Sequence, residues 1–271
     1  MALTANYREP ETGLDRPATG LDRHFDLPVI RQVGAGRPFH WLARGWDDLT
    51  RAPTASFAHG LVFALLGLLV LQLARSSPYL FPSAVFGFLL VGPLVAAGLY
   101  EISRRHETGA TVGFGDSLRA WRRNGGAMGL YAAMMGLTAI AWERMSAIVF
   151  ALLYGGTAPG LPTFLSDVFL SGNYLALAAA WMLIGAAMAV VVFSVSAIAA
   201  PMLVDRDVDA ATAMATSVKA IGTNPAAKLV WAALIVALVA VGFATMLVGM
   251  VVLLPLLGHA TWHAYRDLVE S

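Results

Sequence analysis

The chain has 271 residues, 58% of them hydrophobic and 13% charged, with a formal net charge of +1. A soluble domain carries about 25% charged residues, so much of this apolar surface must face lipid, and the near-zero charge gives no reason to expect a nucleic-acid partner. The absence of cysteine excludes disulfides, zinc–thiolate sites, iron–sulfur clusters and thiol nucleophiles.

Residues 1–38 are polar, with Glu9, Glu11, Asp15, Arg16, Asp22 and Arg23 scattered among Pro and Gly. They lack the charged-then-apolar layout of an export signal and read as a flexible cytoplasmic tail. Residues 39–271 read as a single transmembrane helical domain. Phe39 to Leu49 predicts a short amphipathic helix, either lying on the membrane surface through Trp41 and Trp46 or docking on the bundle. A spanning helix needs roughly 20 mostly apolar residues. Such runs fall at residues 56–74, 79–102, 125–142 and 173–204, with Pro93 expected to kink the second. Met145–Tyr154 either extends the third helix or lies in the interface, and Gly155–Gly172 reads as a short outer cap. Leu229–Tyr265 contains no Asp, Glu, Lys or Arg. It is too long for one span and fits two, at residues 226–243 and 246–265, with the turn expected at Gly242–Thr245.

Six spans put Arg44, Arg51, Arg104, Arg105, Arg119, Arg122, Arg123, Arg206, Lys219, Lys228 and Arg266 on one side, leaving Arg75 and Arg144 on the other. Positive charge accumulates in cytoplasmic loops, so both termini are expected in the cytoplasm. The fold class is all-α: a polytopic membrane helix bundle of six transmembrane helices with two cytoplasmic amphipathic elbow helices. The elbows read Ser117-Leu-Arg-Ala-Trp-Arg-Arg-Asn124 and Ser217-Val-Lys-Ala-Ile-Gly-Thr-Asn224. Ser117, Arg119 and Asn124 match Ser217, Lys219 and Asn224, and each Asn is placed to cap the following span. The match predicts a parallel internal repeat.

The densest polar cluster is Gly258-His-Ala-Thr-Trp-His-Ala-Tyr-Arg266. His259 and His263 share a helix face, a spacing that binds a divalent metal given a third ligand. The Glu of the helical zinc-protease motif is missing. His59 falls at a similar depth to His259, and such a pair from two helices could hold a haem iron. The plainer reading is that these histidines hydrogen-bond at the bilayer surface. Glu101 is a candidate as an ionisable group at the end of a span, although Arg104 and Arg105 stand beside it. Gly87, Gly92 and Gly98, and Gly125 with Gly129, would allow close helix approach.

Arg44-Gly-Trp-Asp-Asp-Leu, Gly92-Pro with Gly98-Leu-Tyr-Glu-Ile-Ser-Arg-Arg, Pro201-Met-Leu-Val-Asp-Arg and the Gly258–Arg266 stretch together resemble a bacterial family of predicted inner-membrane proteins, domain of unknown function 2189. The resemblance covers about residues 40–268 and is most specific at the C-terminal stretch. It implies a multi-span protein of the bacterial inner membrane and carries over no activity. The expected function is non-enzymatic: organising lipid, a membrane-protein partner or a second copy through the cytoplasmic face, with no cofactor. The alternatives are a haem- or metal-binding accessory of a respiratory complex using His59, His259 and His263, and a small transporter built on the two repeats.

Overall fold

The computed structural model describes residues 27–74, 80–154 and 161–270. Most of the expected tail lies outside them, as do residues 75–79 and 155–160. The described residues are helical but for short connections and one isolated bridge, between Ile30 and Val269. That bridge corrects the tail boundary. Arg31 N donates to the Leu268 carbonyl at 2.8 Å and Glu270 N to the Val29 carbonyl at 3.1 Å, so residues 27–36 are pinned to the end of the chain.

The first helix, α1 (Arg37–Arg51), buries Trp41, Gly45, Asp48 and Leu49 on one face. Trp41 does not lie on the membrane surface. It is fully buried, meets Trp231 edge-on at 5.8 Å, and donates from Nε1 to Asp267 Oδ2 at 2.8 Å. Trp46, on the other face, is 50% exposed. Helix α1 therefore docks on the bundle by one side and keeps an apolar residue outward on the other.

Next come α2 (Pro53–Ala74), then α3 (Phe81–Val95) and α4 (Ala97–Glu107) in near continuity. The interruption falls at Ala96, three residues after Pro93, whose ring crowds the preceding turn. The short helices α5 (Phe114–Ser117) and α6 (Ala120–Arg123) lead into α7 (Gly125–Leu153). The first elbow is thus two single turns, not one continuous helix. Helix α7 runs through Met145–Leu153, so Glu143 and Arg144 lie within it and pair with each other. Helix α8 (Leu161–Phe169) occupies the outer connection expected to be a plain cap, because Phe164 and Val168 pack against Trp181 and Tyr154. Helices α9 (Leu175–Ser196) and α10 (Ala199–Asp205) are followed by α11 (Ala210–Thr223), α12 (Pro225–Ala244) and α13 (Met250–Leu268).

Among the described residues, five helical segments are long and apolar enough to cross a membrane: Pro53–Leu73, Phe81–Glu107, Gly125–Leu153, Leu175–Asp205 and Pro225–Ala244. The sixth expected span falls on α13, whose second half carries His259, His263, Arg266 and Asp267. Its turn lies later than Gly242–Thr245. Gly242 stays helical and abuts Met250, while Met246 (φ 52) and Leu247 (φ 67) turn the chain in the left-handed region. Gly249 N donates to Thr245 Oγ1 at 2.9 Å, capping α13, and Leu247 is buried.

Helix α13 packs between α1, α2 and α4, and two glycines outside the expected set make this possible. A Cβ on Gly45 would lie 2.7 Å from Ala260 N, and one on Gly60 would lie 2.1 Å from the Val251 carbonyl oxygen. Gly98 does make room, for the His59 ring, whereas Gly87, Gly125 and Gly129 face open space.

Candidate functional site

Polar side chains converge where α1, α4 and α13 meet. Asp48 sits on the buried face of α1 and is 4% exposed. Its carboxylate accepts from His263 Nε2 at 2.8 Å and His106 Nδ1 at 3.2 Å, with Ser103 close by. Burial pushes the Asp48 carboxyl up, but the bonds from His263 and Ser103 and the nearby imidazoles outweigh it and hold the group well below the usual carboxylate range.

His259 is held between two serines: its Nδ1 lies 2.7 Å from the Ser103 hydroxyl and its Nε2 2.9 Å from the Ser56 hydroxyl. A neutral imidazole has one donor and one acceptor, and this arrangement uses both. His59 lies apart. Its Nδ1 donates to the Ala55 carbonyl at 2.9 Å, and Ser117, 3.3 Å from Nε2, gives its proton to the Phe114 carbonyl at 2.6 Å.

The histidines therefore do not form the expected ligand sets. Both ring nitrogens of His259 are held by serines, and the Nε2 of His263 faces a carboxylate. His59 is enclosed by Ala55, Ser117 and Gly98. Among the described residues no three His, Asp or Glu side chains are grouped to hold a metal ion. Glu101 is likewise committed, to Arg104 at 2.8 Å and Arg105 at 2.7 Å.

The elbow residues are brought into two like joints. Asn124 and Asn224 share the backbone angles φ −130 with ψ 56 and φ −130 with ψ 55. Neither side chain caps the helix it precedes, because each amide is used sideways. Asn124 Nδ2 donates to the Val208 carbonyl at 2.6 Å. Asn224 Nδ2 donates to the Arg31 carbonyl at 2.9 Å, and its Oδ1 accepts from Val33 N at 2.8 Å. Ser217 Oγ accepts from Ile198 N at 3.3 Å, at the break between α9 and α10. Arg119 pairs with Asp116 at the surface, and Lys219 Nζ reaches the Pro28 carbonyl at 3.5 Å.

The ends of α4, α10 and α13 close on one another beside this site. Arg266 of α13 pairs with Glu107 of α4 at 3.1 Å and Asp205 of α10 at 3.4 Å. Trp262 Nε1 donates to Glu107 at 3.0 Å, and the Tyr265 hydroxyl to Asp205 at 2.7 Å. Lys228 is not in a loop: it is 1% exposed within α12, its Nζ has no hydrogen-bond partner, and it lies 5.8 Å from the Trp41 ring centroid.

Residues 80–205 match the model of a family described as a predicted integral membrane protein, domain of unknown function 2189. The matched region takes in Gly92–Arg105 but not the C-terminal stretch that carried most of the resemblance. No curated protein and no solved structure matches the chain.

Proposed function

We propose that this is a six-span protein of the bacterial inner membrane, with both ends cytoplasmic, and that it acts without catalysis by holding anionic lipid at its cytoplasmic face. The observation that carries the reading is the surface of the connecting helices. Leu118 and Trp121 are exposed beside exposed Arg119, Arg122 and Arg123. Apolar and cationic groups side by side suit a helix lying at the headgroup level of an anionic leaflet.

Two observations support the sixth span. The first half of α13, Met250–Leu257, is apolar and follows α12 through a tight turn. Its last turn pairs with the ends of α4 and α10, which places the ends of three helices at one level. With six spans the cationic connections share one side, as the charge rule requires. The repeat of two elbows is supported by the matched backbone angles at Asn124 and Asn224.

Transport fits less well. Thr138 and Ser194, two of the few polar groups near mid-membrane, bond to the carbonyls of Met134 and Val190 in their own helices. Phe63, Phe88, Leu247, Met250 and Leu254 pack together. The lipid reading is tested by native mass spectrometry of protein purified in nanodiscs of mixed phosphatidylcholine and phosphatidylglycerol. Retained lipid should be enriched in phosphatidylglycerol, and Arg122→Gln with Arg123→Gln should lower that enrichment. Retention in the bulk ratio by both proteins contradicts it.

A further inference from the structure

A third joint has the geometry of the two at Asn124 and Asn224. Ala52, between α1 and α2, has φ −129 and ψ 58, and its carbonyl accepts from Ser56 N at 3.0 Å. The carbonyls of Asn124 and Asn224 accept in the same way from Met128 N at 2.9 Å and Lys228 N at 3.0 Å. The register holds on both sides of the joint. Seven residues on, His59, Tyr131 and Trp231 are all buried. Four residues back, Asp48, Ala120 and Ala220 are all buried, and six back Trp46, Leu118 and Val218 are exposed by 50%, 46% and 38%. Gly45 abuts α13 where Ser217 abuts the start of α10. The helices α13, α1 and α2, drawn from the two ends of the chain, thus stand as a third unit.

The three joints serve as controls for one another. At two of them an asparagine amide fills the space against the neighbouring connection, reaching Val208 in one and Val33 in the other. At the third the residue is alanine, and a pocket of about 280 Å³ lies there, between Ala52 and the connection Thr111–Phe114. Val112 lines the pocket. Its main-chain N–H and carbonyl have no hydrogen-bond partner among the described residues. The side chains lining the pocket include Arg51, His106, Thr54 and Thr111 and no Asp or Glu, so its one full charge is positive. Arg51 is exposed and has no ion-pair partner among the described residues. His106 is steered from behind by Asp48 at 3.2 Å.

We propose that the pocket at Ala52 binds the phosphate group of a phosphate ester, at the one joint of three that no asparagine fills. A phosphate offers acceptors in several directions, which suits a cluster of donors around one cation. The ester is either a lipid headgroup or a soluble metabolite. The site shares a face with the proposed lipid-holding helices but uses none of their cations.

The test uses the full chain in nanodiscs. One arm has phosphatidylcholine discs titrated with inorganic phosphate and with glycerol 3-phosphate. The other has discs containing phosphatidylglycerol and no soluble phosphate. Binding is read as a rise in thermal midpoint and as broadening of the phosphorus NMR signal. Arg51→Gln should weaken binding by about tenfold or more, the effect of losing one charge-assisted bond. Ala52→Asn should do the same by filling the pocket with the side chain the other joints carry. A response in the first arm identifies a soluble ester, and a response in the second alone a lipid headgroup. No binding in either arm, or binding unchanged in both variants, overturns the proposal. If Ala52→Asn fails to fold, the exposed Arg51 variant decides alone. Arg122→Gln with Arg123→Gln should leave this site unaffected, so failure of the elbow reading and failure of this one are told apart.

Discussion

Replacing Asp48 by alanine should destabilise the protein by about 1–3 kcal/mol. The carboxylate is the acceptor for His263 and His106, and His106 lines a pocket that water can enter. The donor on His263 is then left buried without an acceptor. Asp48→Asn keeps the shape but one carbonyl oxygen must serve where two served, so about half the effect is expected. The assay is denaturant unfolding of the reconstituted protein, followed by tryptophan fluorescence, since Trp41 and Trp262 are fully buried nearby. A double-mutant cycle with His263→Ala should give a coupling of about 1–3 kcal/mol. If both Asp48 variants stay within about 0.5 kcal/mol of the parent, the network does not hold this end of the bundle together and the reasoning fails.

Acid should act through the same group. The folded Asp48 carboxyl lies below its usual value, so its contribution is full above the unfolded value of about 3.9 and is lost as the pH falls through the folded one. Unfolding measured against pH should therefore show a loss below about pH 4 that Asp48→Ala lessens, and equal slopes refute this. Gly60→Ala would place a methyl 2.1 Å from the Val251 carbonyl oxygen and should cost about 1–3 kcal/mol or more by forcing α2 from α13, whereas Gly87→Ala, facing open space, should be neutral or better in the same assay. Asn224→Ala removes the bonds to Arg31 and Val33 and should speed amide hydrogen exchange across residues 27–36 while leaving α8 unchanged; equal exchange in both proteins would contradict the role given to that amide.

The apolar runs were readable because a span is a property of composition over many residues. The turn at Met246 and Leu247 was not, because the obvious breaker, Gly242, is needed to pack against Met250. Asn124 and Asn224 stand out in the sequence for a capping role that neither side chain plays. Their true partners, Val208, Arg31 and Val33, are distant in sequence and no local pattern announces them. The histidine cluster was visible, while its organising partner was passed over. Asp48 falls seven residues after Trp41 and three after Gly45, on the apolar face of α1. An acidic residue on the buried stripe of an amphipathic helix was the available signal. Ser56, Ser103 and His106 carried none, because only the packing of α1, α2, α4 and α13 brings them together.

The account stands or falls on where α13 ends. The chain contains no cysteine, so single cysteines can be introduced without removing others. Arg122→Cys, Glu270→Cys and Asn173→Cys are to be labelled with a membrane-impermeant maleimide, in intact cells and in inverted vesicles. Six spans predict that the first two label only in inverted vesicles and the third only in intact cells. Labelling of Glu270→Cys from the side opposite Arg122→Cys would contradict the sixth span and, with it, the cytoplasmic placement of the site.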